Sequence, residues 1–254
     1  MKIILITDLH IGTAGEDTYG IDVRQNFLTI KSAIQEAAPD HIVIAGDLCY
    51  SDGVASTYDW IKDEIDALSI PYDVIVGNHD DASMLATAFD LEQHLKEGAI
   101  YYKKALGDWT AFFLDTRTKT LSEVQLQWLQ QQLEATPGKV LLFMHHPPIL
   151  MEVPFMDKNH SLLNRGAVQN ILLADGRPIP VFSGHYHVEK TAAKHNISVQ
   201  ITPSCFFQIA QQKETFELDH RRIAYREITL REDTWRSTVR YFDGTLLVDN
   251  HQEK

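Results

Sequence analysis

The chain has 254 residues, 44% of them hydrophobic, and a formal net charge of −12. That is enough apolar material for a sizeable core, and it excludes a disordered composition. The acidic balance argues against a surface that coats nucleic acid or an anionic membrane, while bound cations can still reverse the field locally for an anionic substrate.

In chain order, IILIT (3–7) reads as a buried first strand; it is too short for a signal-peptide core and meets Asp8 at once. A helix is expected over 23–38, where Val23, Phe27, Ile30 and Ile34 recur at helical spacing. HIVIA (41–45) is the next strand, and Tyr58, Ile61, Ile65 and Leu68 mark a helix over 56–68. DVIV (73–76) follows, with Asp81 as N-cap of a helix over 82–95. Segments 99–104 and 109–116 suit a hairpin, and Ser122 caps a helix over 122–135. VLLFM (140–144) and PVFS (180–183) are two more strands, and the tail over 222–248 reads as three. This alternation predicts an α/β fold: a mixed sheet or two packed sheets with helices outside. With no Pro/Gly/Ser linker in sight, one domain over 1–254 is expected: a motif core over 1–205, with strands within 221–249 completing it. No apolar run is long enough to span a bilayer. The two cysteines, Cys49 and Cys205, make no disulfide framework, so a reduced, cytoplasmic protein is expected.

Each of the five apolar strands runs into potential metal ligands. They are Asp8 and His10, then Asp47, then Asn78 and His79, then His145, then His185 and His187. Glycines 46, 77 and 184 stand just before three of these groups, where a sharp turn or a close approach is needed. In open α/β sheets ligands bind outside the carboxyl ends of the strands, so the five ends point at one place. Asp8/His10 and His185/His187 are each two apart, a spacing that shares one face of an extended segment. Imidazole with carboxylate oxygen suits two ions of Fe, Mn, Zn or Co, with manganese and iron favoured. Asp47 is the natural bridging carboxylate. Taken singly, each motif has a bland reading: a surface triplet, a turn after a strand, a buried kink, exposed imidazoles in a hairpin. Their order, and their common place at strand ends, makes those readings hard to sustain together.

D-x-H (Asp8, His10), G-D (Asp47), G-N-H-D (77–80), His145 and G-H-x-H (184–187) together resemble the calcineurin-like metallophosphoesterase superfamily. The resemblance implies its four-layer α/β/β/α sandwich of two mixed sheets and phosphoester hydrolysis by a metal-bound hydroxide. It implies one metal on Asp8, His10, Asp47 and His187, and another on Asp47, Asn78, His145 and His185. His79 matches the histidine that contacts phosphate and assists the leaving oxygen; Asp80 is expected to hydrogen-bond and orient it. His146 is a candidate substrate contact beside Asn78 and His79.

GDLCYSDG (46–53) lacks the arginine of the protein phosphatases, and His79 stands where UDP-diacylglucosamine hydrolases have arginine. The closest resemblance is to class III cyclic-nucleotide phosphodiesterases and related glycerophosphodiesterases. It rests on LDT (114–116) before QLQWL, HHPP (145–148), GHYHVEKT and ITPSCFFQ (201–208). A small phosphodiester is the expected substrate, 3′,5′-cAMP foremost, with a phosphomonoester as alternative and no nucleic-acid polymer or membrane as partner. A non-catalytic interaction scaffold would have lost ligands, and none is missing. The 151–164 segment is expected to border the pocket. Tyr186, Phe206 and Phe207 are candidates to line a pocket, with core preferred for the two phenylalanines; Arg24 is read as a solvated helix residue, and the remaining histidines as structural. The tail strands offer an edge for a homo-oligomer.

Overall fold

The computed structural model describes residues 1–247, so the end of the expected last strand (248–249) and His251 lie outside the described residues. In chain order the first elements are β1 (Lys2–Ile6), α1 (Val23–Ala37), β2 (His41–Ala45), α2 (Ala55–Asp66), β3 (Tyr72–Ile75) and α3 (Ala82–Ala88). A two-residue ribbon follows, β4 (Leu95–Lys96) with β5 (Ala99–Ile100), then β6 (Tyr102–Leu106), β7 (Trp109–Leu114), α4 (Glu123–Glu134) and β8 (Lys139–Met144). Next come α5 (Pro154–Asn159), α6 (Arg165–Asp175), β9 (Ile179–Ser183), β10 (Lys190–Lys194) and β11 (Ile197–Ile201). The last are β12 (Gln208–Ile209), β13 (Leu218–His220), β14 (Ile223–Leu230) and β15 (Trp235–Phe242).

Two mixed sheets carry the architecture: β15-β14-β1-β2-β3 and β10-β11-β9-β8-β7-β6. In the first, β1, β2 and β3 are parallel while β14 and β15 run antiparallel. In the second, β7, β8, β9 and β11 are parallel, with β6 and β10 antiparallel at the two edges. All five residues of β2 and all five of β9 are buried, so both faces of each sheet are covered. One apolar cluster runs through both sheets and the inner faces of α1, α2 and α4, which gives the four-layer sandwich. Polar ties cross between the sheets. Tyr102 Oη donates to the Val74 carbonyl at 3.2 Å and to Asp73 at 3.1 Å, and Lys104 Nζ meets Asp73 at 2.9 Å. On the other flank Phe182 meets Trp235 edge-on at 5.4 Å.

The caps read from sequence form as expected. Asp81 accepts from Met84 N and Ser122 from Gln125 N. Several elements differ. α3 stops at Ala88 instead of running to residue 95, because the chain turns into the β4–β5 ribbon. The third tail strand is a single bridge between Leu246 and Ile21. β10, β11, α5 and α6 had no expectation: KTAAK is nearly all polar or small, and α6 buries only Val168 and Leu172. What matters for the site is the parallel core. β1, β2 and β3 in one sheet, and β8 and β9 in the other, all release their carboxyl ends at the same rim of the sandwich.

Candidate metal centre

The rim gathers the chemistry-bearing residues into two outer groups, Asp8, His10 and His187, and Asp47, His145 and His185, with a third, His10, Asp47 and His79, overlapping both; ligand atoms lie within 4.8 Å inside each group. His187 Nε2 lies 3.2 Å from Asp8 Oδ1, and His10 Nε2 lies 3.1 Å from His187 Nε2. His145 Nε2 lies 3.1 Å from Asp47 Oδ2. The groups adjoin: Asp47 Oδ2 is also 3.8 Å from His10 Nε2, and Asp8 Oδ1 is 3.8 Å from His145 Nε2. Asp47 is therefore within reach of both.

Each carboxylate has one oxygen anchored by the protein and one facing the imidazoles. Asp8 Oδ2 accepts from Thr7 Oγ1 at 2.8 Å and from His185 N at 3.0 Å; Oδ1, which His185 N reaches at 3.2 Å, faces His187 and His145. Asp47 Oδ1 accepts from His79 N at 2.9 Å, leaving Oδ2 to His145 and His10. The rings are held from behind as well. His145 Nδ1 donates to the Ala45 carbonyl (2.7 Å), and His187 Nδ1 to the Phe207 carbonyl (3.0 Å). His185 is bonded through Nε2 to the His160 carbonyl (3.0 Å), so Nδ1 is its free nitrogen. Such bonds fix the tautomer and the ring orientation of a metal ligand. A metal is supported by two orphans. Asn78 Oδ1 is buried with no hydrogen-bond partner, and His145 Nε2 is buried and, though 3.1 Å from Asp47 Oδ2, makes no well-aligned hydrogen bond, which costs stability unless a ligand satisfies them.

Backbone strain concentrates here. Asp8, His10, Asp47, His185 and His187 all have φ between 47° and 68°, the left-handed region. This corrects the extended-segment reading of D-x-H and H-x-H: the spacing works because each residue is kinked, not because two extended side chains share a face. The kinks let neighbouring loops zip together, with Asp8 N on Gly46 O (3.0 Å), His10 N on Asp47 O (3.1 Å) and Ile11 N on Leu48 O (2.9 Å). Two glycines are needed for close approach. A Cβ on Gly77 would collide with Asp47 N and Oδ1, and one on Gly184 with Thr7 Oγ1 and Asp8 Oδ2.

The electrostatics follow from burial against pairing. Burial is the largest influence on Asp8 and Asp47 and pushes both up, but the surrounding imidazoles, led by His187 and His145 respectively, outweigh it and hold both below the usual carboxylate range. Burial pushes His10 down to about 3, and burial with neighbouring imidazoles pushes His185 and His146 well down, which keeps their lone pairs free. Burial would lower His145 too, but the carboxylates of Asp47 and Asp8 overcome it and raise it to about 9.

Other expected roles change. Asp80 does not orient His79. Its carboxylate is turned inward and accepts from Leu48 N, Cys49 N, Gly77 N and Tyr58 Oη at 2.9–3.2 Å, so it clamps the two loops that carry Asp47 and Asn78. The His79 ring is held instead by the Ser51 carbonyl, 2.9 Å from Nδ1, leaving Nε2 for a ligand. His146 is fully buried, bonded to Thr116 Oγ1 at 2.8 Å and packed against the His185 ring at 4.0 Å, behind the pocket lining rather than in it. Arg24 stacks over Trp60 at 4.3 Å.

A pocket of about 540 Å³ opens over both groups. Asn78 and His79 lie in its floor, and Phe155, Met156 and His160 bring the 151–164 segment to its edge. Phe206 and Phe207, expected as core, line it, while Tyr186 is core and bonds Asp157 at 2.9 Å. Sequence reading missed Tyr19, Lys119 and Phe216 in the wall, and Thr7, Thr116 and Ser204 behind the ligands. Ser204 Oγ donates to the Asp8 carbonyl at 3.0 Å, and Gln125 clasps Asp115 N and O at 2.9 Å. The LDT, QLQWL and ITPSCFFQ traits therefore mark loop anchors. An isolated phenylalanine in polar QQKETFELDH was the available signal for Phe216.

The family model of the calcineurin-like phosphoesterase matches residues 1–189. A probable cyclic nucleotide phosphodiesterase of Fibrobacter succinogenes is 36% identical over 245 residues, covering 96% of this chain and 95% of that protein. The 3′,5′-cyclic adenosine monophosphate phosphodiesterase CpdA of Escherichia coli is 27% identical over 264 residues, covering 99% and 90%. The solved structure of a dimetal phosphatase from Danio rerio aligns with a TM-score of 0.67 over 97% of this chain and 96% of that one; at 15% identity it shows the shared fold. By the extent of the family match and of the first of these relatives, the chain belongs to the calcineurin-like phosphoesterase family and is a phosphoester hydrolase.

Proposed function

We propose that the protein is a dinuclear-metal phosphodiesterase that opens a 3′,5′-cyclic nucleotide. The observation that carries the reading is the pairing of two carboxylate–imidazole groups, with Asn78 Oδ1 and His145 Nε2 orphaned between them, under a pocket large enough for a nucleotide. The relatives' names, cyclic nucleotide phosphodiesterases, support the substrate class.

Asp8, His10, Asp47 and His187 would hold one ion, and Asp47, Asn78, His145 and His185 the other. Nitrogen and oxygen donors of this kind suit manganese or iron. When bound, such ions supply Lewis acidity and a nucleophile at neutral pH. The chain's own residues do the rest. Asp47 offers Oδ2 to both groups, because His79 N holds Oδ1. His79, tethered through Nδ1 to Ser51, gives a proton from Nε2 to the oxygen that leaves phosphorus, while Asn78 orients the phosphoryl group. The net result is one P–O bond broken and one water added. The two unpaired, buried cysteines suit the reducing cytoplasm, where such nucleotides occur.

The test is hydrolysis by the Mn²⁺-loaded protein of 3′,5′-cAMP, of an alkyl diester and of a monoester. Turnover of cAMP to AMP well above the other two is expected. Turnover of the diester or monoester without cAMP cleavage would overturn the substrate, and absence of bound metal would overturn the site.

A further inference from the structure

The pocket floor is polar and buried, yet its mouth carries the two aromatics among the exposed large apolar side chains of the described residues: Tyr19, 55% exposed, and Phe216, 44% exposed. Their rings are 6.4 Å apart, and both meet Phe207, at 5.6 and 6.0 Å. Phe207 in turn lies 5.2 Å from the His187 ring, so the aromatic surface is continuous with the metal floor. The rings reach the mouth from separate insertions. Tyr19 comes from the loop between β1 and α1, and Phe216 from the turn between β12 and β13, which Phe155 N on α5 holds through the Lys213 carbonyl at 3.0 Å. Tyr19 itself sits at φ 56°, a left-handed conformation costly for a bulky residue and tolerated where function over-determines it.

Exposed aromatics that converge from distant segments at the edge of a polar site mark a ligand surface rather than a core. Each ring offers its own flat π-face, the two tilted 48° to one another, and a nucleobase stacks on such faces without regard to its hydrogen-bond pattern. Resting on the phosphodiesterase reading above, we propose that Tyr19 and Phe216, backed by Phe207, form a stacking platform for the base of the nucleotide whose phosphate sits on the floor. The platform selects diesters bearing a planar group over alkyl diesters and is tolerant of which purine it holds.

Both side chains are exposed, so Tyr19→Ala and Phe216→Ala leave the core intact. The experiment compares wild type, both variants and the conservative Tyr19→Phe, each Mn²⁺-loaded, on 3′,5′-cAMP and on glycerophosphocholine. Each alanine variant should raise KM for cAMP by roughly 5- to 30-fold with kcat little changed, leave glycerophosphocholine kinetics unaltered, and Tyr19→Phe should restore KM. An unchanged KM for cAMP in both alanine variants, or equal losses on the alkyl diester, would overturn the platform while leaving the phosphodiesterase reading in place. If wild type cleaves glycerophosphocholine but not cAMP, that reading falls, and adenosine as an inhibitor of the alkyl reaction decides the platform alone. Inhibition of wild type that is lost in Tyr19→Ala sustains it; no inhibition of wild type overturns it.

Discussion

The groups on the pocket floor stand at the ends of five parallel sheet strands, whereas the exposed rings at its mouth stand on two surface insertions. The floor is over-determined: Asp8 and Asp47 each have one oxygen fixed by backbone or hydroxyl donors, and the rings are bonded from behind by main-chain carbonyls. The mouth rings meet one another through edge-on aromatic contacts on loops tied by a few main-chain bonds, and Tyr19 and Phe216 stay half in water. The difference teaches that chemistry and selectivity are separable here. Charge placement needs rigid elements and buried partners, while a stacking surface tolerates loops.

Four substitutions sharpen that contrast, in descending order of effect. Asp47→Asn removes the carboxylate shared by both groups; metal counting should show the loss of bound metal, and kcat/KM should fall by about 10³-fold or more. Under the proposed role of its ring as proton donor and not ligand, His79→Ala should retain both metals and lose roughly 10²–10⁴-fold in kcat. Metal loss in that variant would move His79 into the ligand set. Asp80→Asn keeps the shape of the buried clamp but turns an amide N–H₂ toward groups that are themselves donors. Denaturant unfolding should show a loss of about 1–3 kcal/mol, with weaker metal binding but an unshifted pH profile of kcat. A shifted profile would restore a direct role beside His79. Arg24→Ala, outside the pocket, removes a stack on Trp60; it should cost less than about 1 kcal/mol and leave kinetics unchanged on every substrate.

The same contrast explains what was legible. The ligands stood out because each follows an apolar, β-branched run, and a polar side chain at such a strand end needs a reason. Asp81 and Ser122 were legible as caps because the stop-and-start chemistry of a helix is local. The role of Asp80 was misread because sequence adjacency to His79 says nothing about which way a side chain turns, and four donors from three segments draw it inward. Phe206 and Phe207 looked like core for the same reason: an apolar pair has no sign that says which cavity it faces.

From sequence alone came the α/β class, the seven ligating candidates, the position of His79 beside them and the family they resemble. Strand-end motifs and helical caps are short-range, so their physics is written in consecutive residues. The tertiary structure alone decided which carboxylate oxygens are free, that the ligand turns are left-handed, that His146 lies behind His185, and that Tyr19 and Phe216 share one mouth. Each of those depends on where segments as far apart as residues 8 and 185, or 19 and 216, come to rest, and only close packing of the two sheets sets that.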